Sequence, residues 1–305
     1  MTPQEYCRQQ AAQSGSSFYY SFLFLPPTQR DAIMALYAFC RAVDDVVDNA
    51  KDPSVAASKL AWWRAEIDRM DAADPANPPT HPIALALQAP AKALGLKAVS
   101  LKEIIAGMEM DLHQHSYVDD EALSVYCWRV AGVVGVLSAK IFSADSADSA
   151  DKTLDLHDYA SHMGQALQRI NIIRDVGEDA LRGRVYLPAS LLKAHGLSIS
   201  DVLARKNTSE FNAAMTNVLQ VSAALARMHL AKALDHLPAH AVRAQRSGLI
   251  MGRVYANLLV EIECTGFAVM HQRVSLTPLR KLSLAWRSWV APQRAVKALR
   301  AIADK

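Results

Sequence analysis

Apolar residues that return every three or four positions constrain this chain more than any other feature. Ile33, Leu36, Tyr37, Cys40, Val43 and Val47 fall on one face of a helix with 3.6 residues per turn. No stretch alternates convincingly with the period of two that a half-buried strand needs. Chain breakers are scarce: 12 Gly and 13 Pro in 305 residues, about 8% where an average chain carries about 12%. The expected fold is therefore all-α. Three segments read as loops. Residues 71–82 carry four prolines, residues 143–151 hold a Ser-Ala-Asp repeat, and His195-Gly196 marks a helix stop within 193–200. None is long enough to force a division, so one domain over residues 1–305 is expected. With 51% apolar residues there is ample material for its core.

Composition also excludes several roles. Against 33 Lys and Arg stand 30 Asp and Glu, a net charge of +3 that gives no electrostatic case for nucleic acid. Cys7, Cys40, Cys127 and Cys264 are far apart, without a C-x-x-C pair and in apolar surroundings, as expected of free core thiols in a reducing cytoplasm. The N-terminus lacks the basic start and apolar run of a secretory signal. No run reaches the roughly 18–20 consecutive apolar residues that span a bilayer, and the nearest, 18–27, is short and ends in Pro-Pro. A cytoplasmic protein that at most rests on a membrane surface is expected.

Two acidic pairs carry the chemistry. Asp44 and Asp48 lie four apart, one turn along the same helix face, with Tyr37 and Arg41 on the same stripe. Like charges so placed cost a helix roughly 0.2–0.5 kcal/mol on a wet surface and more among apolar neighbours. A cation is the simplest offset. In the second segment Gln168, Asn171, Asp175 and Asp179 form a polar stripe on a helix whose other face is Ile170, Ile172, Ile173 and Val176. Gly177 costs a helix interior about 1 kcal/mol relative to Ala, which points to a close approach there. Either pair alone is a weak signal, since acidic pairs occur on many solvated helices. Two, each in apolar sequence and each beside Arg, are far more specific. Hard oxygen ligands without a His or Cys cluster suit Mg²⁺ or Mn²⁺. Two such pairs look like a clamp for a diphosphate, with Arg41, Arg174, Arg182 and Arg184 available for direct phosphate contacts.

The segments SGSSFYYSFLFLP (14–26), LYAFCRAVDDVVD (36–48), YCWRVAGVVG (126–135) and NIIRDVGEDALRGRVYLP (171–188) resemble the squalene/phytoene synthase family, the head-to-head prenyl diphosphate synthases. Order and spacing agree over nearly the whole chain, more loosely at RVSLTPLRKL (273–282). The resemblance implies a single isoprenoid-synthase-type helical bundle with a deep central cavity, whose aspartate motifs hold Mg²⁺ against the diphosphates of two substrates. Carried over, Asp44 and Asp48 form the first metal set and Asn171, Asp175 and Asp179 the second. Asp45 points about 100° away round the helix and is the weaker ligand. Arg41 stands at a diphosphate-binding position, and Ser17 falls in the lid over the diphosphate. Gly15 stands where several members carry Ser or Thr. Tyr126 opens the Y-C-x-x-V-A-G motif that faces the reacting carbons, and Tyr255 and Arg273 correspond to residues near the second diphosphate.

The implied reaction condenses two farnesyl diphosphates. Loss of one diphosphate leaves an allylic cation, the second chain's double bond attacks, and proton loss closes the cyclopropane of presqualene diphosphate. The resemblance implies a diphosphate as the base, with Tyr126 as a supporting or relay group. The opening SGSSFYYSFLFLPP and the GMEMDL stretch (107–112) favour members that stop there, so no NADPH is expected. The alternative within the family condenses two geranylgeranyl diphosphates to phytoene. Outside it stand a metal-dependent phosphohydrolase, which would want a His cluster, and a helical binding protein, which would not need two matched pairs. His113 and His115 beside Asp111 read as surface residues. The run Ala131-Gly132-Val-Val-Gly135 either lets helices pack closely or lines a prenyl cavity.

Charge is unevenly spread. Arg273 to Lys305 carry eight Lys and Arg and one Asp, a net +7, which leaves −4 for the rest. Trp286 and Trp289 interleave there with Arg280, Lys281 and Arg287. That pattern suits an anionic membrane surface, or else a solvated helix packed by two tryptophans.

Overall fold

The computed structural model describes residues 1–13, 19–22, 24–50, 52–144 and 155–305. Gly15, Ser17, Phe18 and most of the Ser-Ala-Asp repeat lie outside the described residues. The helices are α1 (Pro3–Gln13), α2 (Tyr19–Phe22), α3 (Pro27–Asp48), α4 (Pro53–Ala72), α5 (Pro82–Leu94), α6 (Ala98–His113), α7 (Asp120–Cys127), α8 (Val133–Phe142), α9 (His157–Leu181), α10 (Ala189–Ala194), α11 (Ile199–Leu203), α12 (Ser209–Asp235), α13 (Arg246–Cys264), α14 (Pro278–Val290) and α15 (Pro292–Ala303). Among the described residues there is no strand, only an isolated bridge between Ser116 and Val185.

The prolines turn out to start helices as well as to end them. Pro27, Pro53, Pro82, Pro278 and Pro292 occupy first turns, where the missing N–H has no partner to lose and the fixed φ suits the helix. Side-chain caps complete several starts: Asp52 accepts from Ser54 N, Thr208 from Phe211 N and Thr277 from Arg280 N. Ser198 and Asp201 form a reciprocal capping box on α11.

α9 is central. It packs on α12, α8 and α13, and on a single π turn, Trp128–Gly132, that joins α7 to α8. The contact is made by glycines: a Cβ on Gly164 would lie 2.2 Å from the Ala131 carbonyl oxygen, and one on Gly135 2.3 Å from that of Ala160. Ala131 and Gly135 also line the central cavity, so the small-residue run packs helices closely and forms cavity wall at once. By length and apolarity Asp120–Phe142 could cross a membrane, yet Cys127, Leu137 and Ile141 on it are buried within the bundle. One cluster of buried side chains gathers around α9, α12 and α13, another around α3, α4 and α6. The four cysteines are free, but the expectation of core thiols is corrected at Cys264, which is exposed because it ends α13. Cys7 and Cys127 are buried, and Cys40 is half-buried against the cavity.

One buried titratable pair ties α9 to α12. His229, 7% exposed, has its Nδ1 3.1 Å from Nδ1 of His162, so one ring donates and the other must accept. Burial, and then the charges of Arg169, His162 and Lys232, pull the His229 pKa down to about 4. Its unfolded value is about 6.5, so the native state binds fewer protons and stability falls as pH drops from 6.5 toward 4. The loss from this residue is about 3 kcal/mol at most. Thermal denaturation across that window is expected to fall less steeply for His229→Gln than for the wild type. Equal slopes would contradict the assignment.

Candidate active site

The two acidic pairs sit on the last turns of α3 and α9. Carbonyl groups already make a helix C-terminus negative, so four carboxylates there need cationic neighbours. Those neighbours are arginines. Arg41 reaches Asp44 at 3.0 Å and Asp45 at 2.8 Å, and Asp45 lies outside the cavity lining. Directly after α9, Gly183 adopts φ +75°, the left-handed conformation that glycine tolerates, and turns the chain between Arg182 and Arg184. Both arginines then grip Asp48 on the other motif, at 3.0 Å and 2.8 Å. The arginines that follow the second motif thus tie it to the first.

On α9, Arg174 chelates its neighbour Asp175, with Nε 2.7 Å from Oδ1. Tyr255 of α13 hydrogen-bonds with Asn171 and Arg174, while its burial pushes its ionisation up. Arg273 reaches Asp175 at 3.6 Å and Glu178 at 2.9 Å. Its segment lies this close because Gly177 has no side chain: a Cβ there would meet the Met270 carbonyl oxygen at 2.2 Å. The close approach expected at Gly177 is therefore real. Asp44, Asp48, Tyr126, Arg41, Asn171, Arg174, Asp175, Asp179, Tyr255 and Arg273 all line one cavity of about 790 Å³. Ser17 lies outside the described residues.

Asp111 and Tyr186, which sequence reasoning left without a role, join them, as does Lys281, which it had counted with the basic C-terminal stretch. Asp111, on the last turn of α6, is buried and accepts hydrogen bonds from the hydroxyls of Tyr126 at 3.0 Å and Tyr186 at 2.9 Å. The two tyrosine rings stack with centroids 5.1 Å apart. The bridge between Ser116 and Val185 brings the segment after α6 against the one that carries Tyr186. Lys281 of α14 also lines the cavity, its pKa lowered first by burial and then by the charges of Arg174 and Arg273. His113 and His115 are exposed, as expected.

The carboxylates are buried close to one another, and this shifts three of them upward. Burial, then Asp48, pushes Asp44 up to about 6, and burial, then Asp175, pushes Asp179 up to about 7. Asp111 rises to about 6, chiefly through burial. Asn171 Oδ1 is a buried acceptor with no hydrogen-bond partner among the described residues. Burying an unpaired acceptor costs about 1–3 kcal/mol, so this oxygen is placed for something else. An all-oxygen donor set of this kind fits a hard divalent cation. Among the described residues no three His, Cys, Asp or Glu side chains already close into a metal cage. Away from the mouth the walls are apolar: Leu36, Ile104, Met108, Val134, Met163 and Leu167.

A helical bundle that sets paired carboxylates and arginines over a deep apolar cavity is built to bind diphosphates on long hydrocarbon chains. The sequence model of the squalene/phytoene synthase family matches residues 11–280, and the chain belongs to that family and is a prenyltransferase. It is 34% identical over 279 residues to a presqualene diphosphate synthase of Rhodopseudomonas palustris, covering 90% of this chain and 93% of that protein. It is 30% identical over 294 residues to a 15-cis-phytoene synthase of Synechocystis, covering 95% and 85%. The fold matches a crystal structure of a dehydrosqualene synthase with ligand at TM-score 0.79 and 20% identity, over 97% of both chains.

Proposed function

We propose that this prenyltransferase condenses two molecules of farnesyl diphosphate head to head, by 1'-2-3 connection, to presqualene diphosphate with release of one diphosphate. The observation that carries this reading is the cavity itself, acidic and arginine-lined at its mouth and apolar below. Asp44, Asp48, Asn171, Asp175 and Asp179 would hold Mg²⁺, or Mn²⁺ in its place. When bound, the metal supplies charge neutralisation for the departing diphosphate. Arg41, Arg174, Arg182, Arg184 and Arg273 bind diphosphate oxygens, which they can do in the bidentate geometry that guanidinium favours. The apolar walls keep water from the allylic cation until the second chain's double bond attacks. Burial and the neighbouring Asp111 carboxylate keep the Tyr126 hydroxyl protonated, and Asp111 fixes its direction. Tyr126 therefore relays or supports, and a diphosphate oxygen takes the proton whose loss closes the cyclopropane. No NADPH enters this step.

The reading at 34% identity to a presqualene diphosphate synthase is closely rivalled by the phytoene synthases, so the condensation of two geranylgeranyl diphosphates is the second reading. Purified protein with Mg²⁺ and each diphosphate separately, without NADPH, decides between them. A C15-derived cyclopropyl diphosphate is expected. A C40 product with farnesyl diphosphate left untouched would overturn the choice.

We further propose that the protein works in the cytoplasm against a membrane that supplies and receives its lipids. On α14, Leu279 and Trp286 are 81% and 57% exposed, and Leu282 and Val290 continue the same stripe. Arg280 and Arg287 flank it, a charge pattern that complements anionic headgroups. Phe24 packs beneath, 5.4 Å from the Trp289 ring. The double variant Leu279→Ser, Trp286→Ser is expected to lose at least two-thirds of its co-sedimentation with anionic vesicles. Undiminished binding would count against this face.

A further inference from the structure

The cavity runs along α9, which contributes to its wall every three or four residues from Asp179 back to Tyr159. Helical rise makes α9 a ruler: the 12 residues from Asn171 to Tyr159 span about 18 Å at about 1.5 Å each. At that far end the C-terminus of α8 and the N-termini of α9 and α13 meet. Gln245, 1% exposed, closes the corner by donating its side-chain amide to the Ala139 carbonyl at 3.0 Å and the Ser143 hydroxyl at 2.9 Å.

Tyr159 crosses the same end. Its ring, 2% exposed, reaches from α9 to α13, where a Cβ on Gly248 would lie 2.9 Å from the Tyr159 hydroxyl. That hydroxyl is buried with no hydrogen-bond partner among the described residues. An unpaired buried hydroxyl is unfavourable, so stability does not explain it. Its length does: ring and oxygen together fill the gap that the missing side chain of Gly248 leaves.

We infer that Tyr159, backed by Gly248, is the stop that sets prenyl chain length, and that it admits three isoprene units along α9 and refuses a fourth. The inference rests on the proposed reading, in which the diphosphate lies at the acidic mouth. An extended isoprene unit advances about 5 Å over four carbon–carbon bonds of about 1.5 Å. A farnesyl chain of about 15 Å starting beside Asn171 ends short of the Tyr159 ring, about 18 Å along α9. A geranylgeranyl chain of about 20 Å runs into it. Depth at this one position, rather than anything at the mouth, separates the C15 from the C20 substrate.

The test is a competition between equal amounts of farnesyl and geranylgeranyl diphosphate with Mg²⁺, read as the ratio of C20 to C15 units in the products. Tyr159→Ala is expected to raise that ratio at least tenfold over wild type. Tyr159→Phe keeps the ring and is expected to move it several-fold less. Tyr159→Leu keeps more of the core filled, and is expected to shift the ratio in the same direction as Ala should the Ala variant fold poorly. A ratio within twofold of wild type in a Leu or Ala variant that still consumes farnesyl diphosphate would overturn the stop. A wild-type preference for geranylgeranyl diphosphate would overturn it too. Wild-type protein that consumes neither diphosphate would instead overturn the proposed function on which the ruler stands.

Discussion

Asp175→Ala is expected to reduce turnover by about 10²–10³-fold or more while the helical circular dichroism spectrum stays that of the wild type. Asp175 holds Arg174 on one side and stands within reach of Arg273 on the other. Its loss would remove one of the proposed metal ligands and free Arg174, whose direction it sets. The fold should survive, because the change also relieves a repulsion: Asp175 is the neighbouring charge that raises Asp179. Asp48→Ala is expected to act as strongly, since Asp48 receives both Arg182 and Arg184 from beyond the second motif. Asp45 supplies the control. It pairs with Arg41 outside the cavity lining, and Asp45→Ala is expected to cost no more than a few-fold. Retention of a tenth of wild-type turnover by Asp175→Ala would refute the clamp.

The second large effect is on stability. Gly164→Ala would place its Cβ 2.2 Å from the Ala131 carbonyl oxygen and 3.0 Å from Gly132 Cα. Both are backbone atoms within the contact between α9 and the π turn, so no side chain can swing aside. Overpacking of a core typically costs about 1–3 kcal/mol, and a clash with rigid backbone should reach the top of that range or exceed it. Denaturant titration is expected to show a loss of about 3 kcal/mol or more, with the midpoint shifted. A loss below about 1 kcal/mol would mean that the helices separate easily there. Because Ala131 and Gly135 line the cavity beside this contact, a variant that does fold should also bind prenyl diphosphates more weakly.

The helical architecture and the positions of both acidic pairs were legible because they follow local rules. The i, i+4 spacing on α3 and α9 decides which side chains share a face, whatever the rest of the chain does. Gly177 was legible for a related reason: a glycine inside an apolar helix pays for itself only through a close contact. Asp111 was not. A lone aspartate beside Met and Leu carries no spacing signal, and its partners Tyr126 and Tyr186 lie 15 and 75 residues away. The grip of Arg182 and Arg184 on Asp48 joins residues 134 and 136 apart, so the turn alone gave no choice between solvent and site. The prolines of 71–82 marked a real loop between α4 and α5, and the last of them, Pro82, opens α5 because the ring that breaks a helix interior suits a first turn. Cys264 misled because apolar neighbours say nothing about where a helix ends.

The stoichiometry of diphosphate release tests the central claim most directly. With farnesyl diphosphate and Mg²⁺ and without NADPH, a condensation that stops at the cyclopropane releases one diphosphate for every two substrates consumed. The other diphosphate stays on the product. Inorganic diphosphate and remaining substrate, measured together over a time course, are predicted to keep that ratio throughout. Release of one diphosphate per substrate, with a hydrocarbon or a prenyl alcohol as product, would contradict the account.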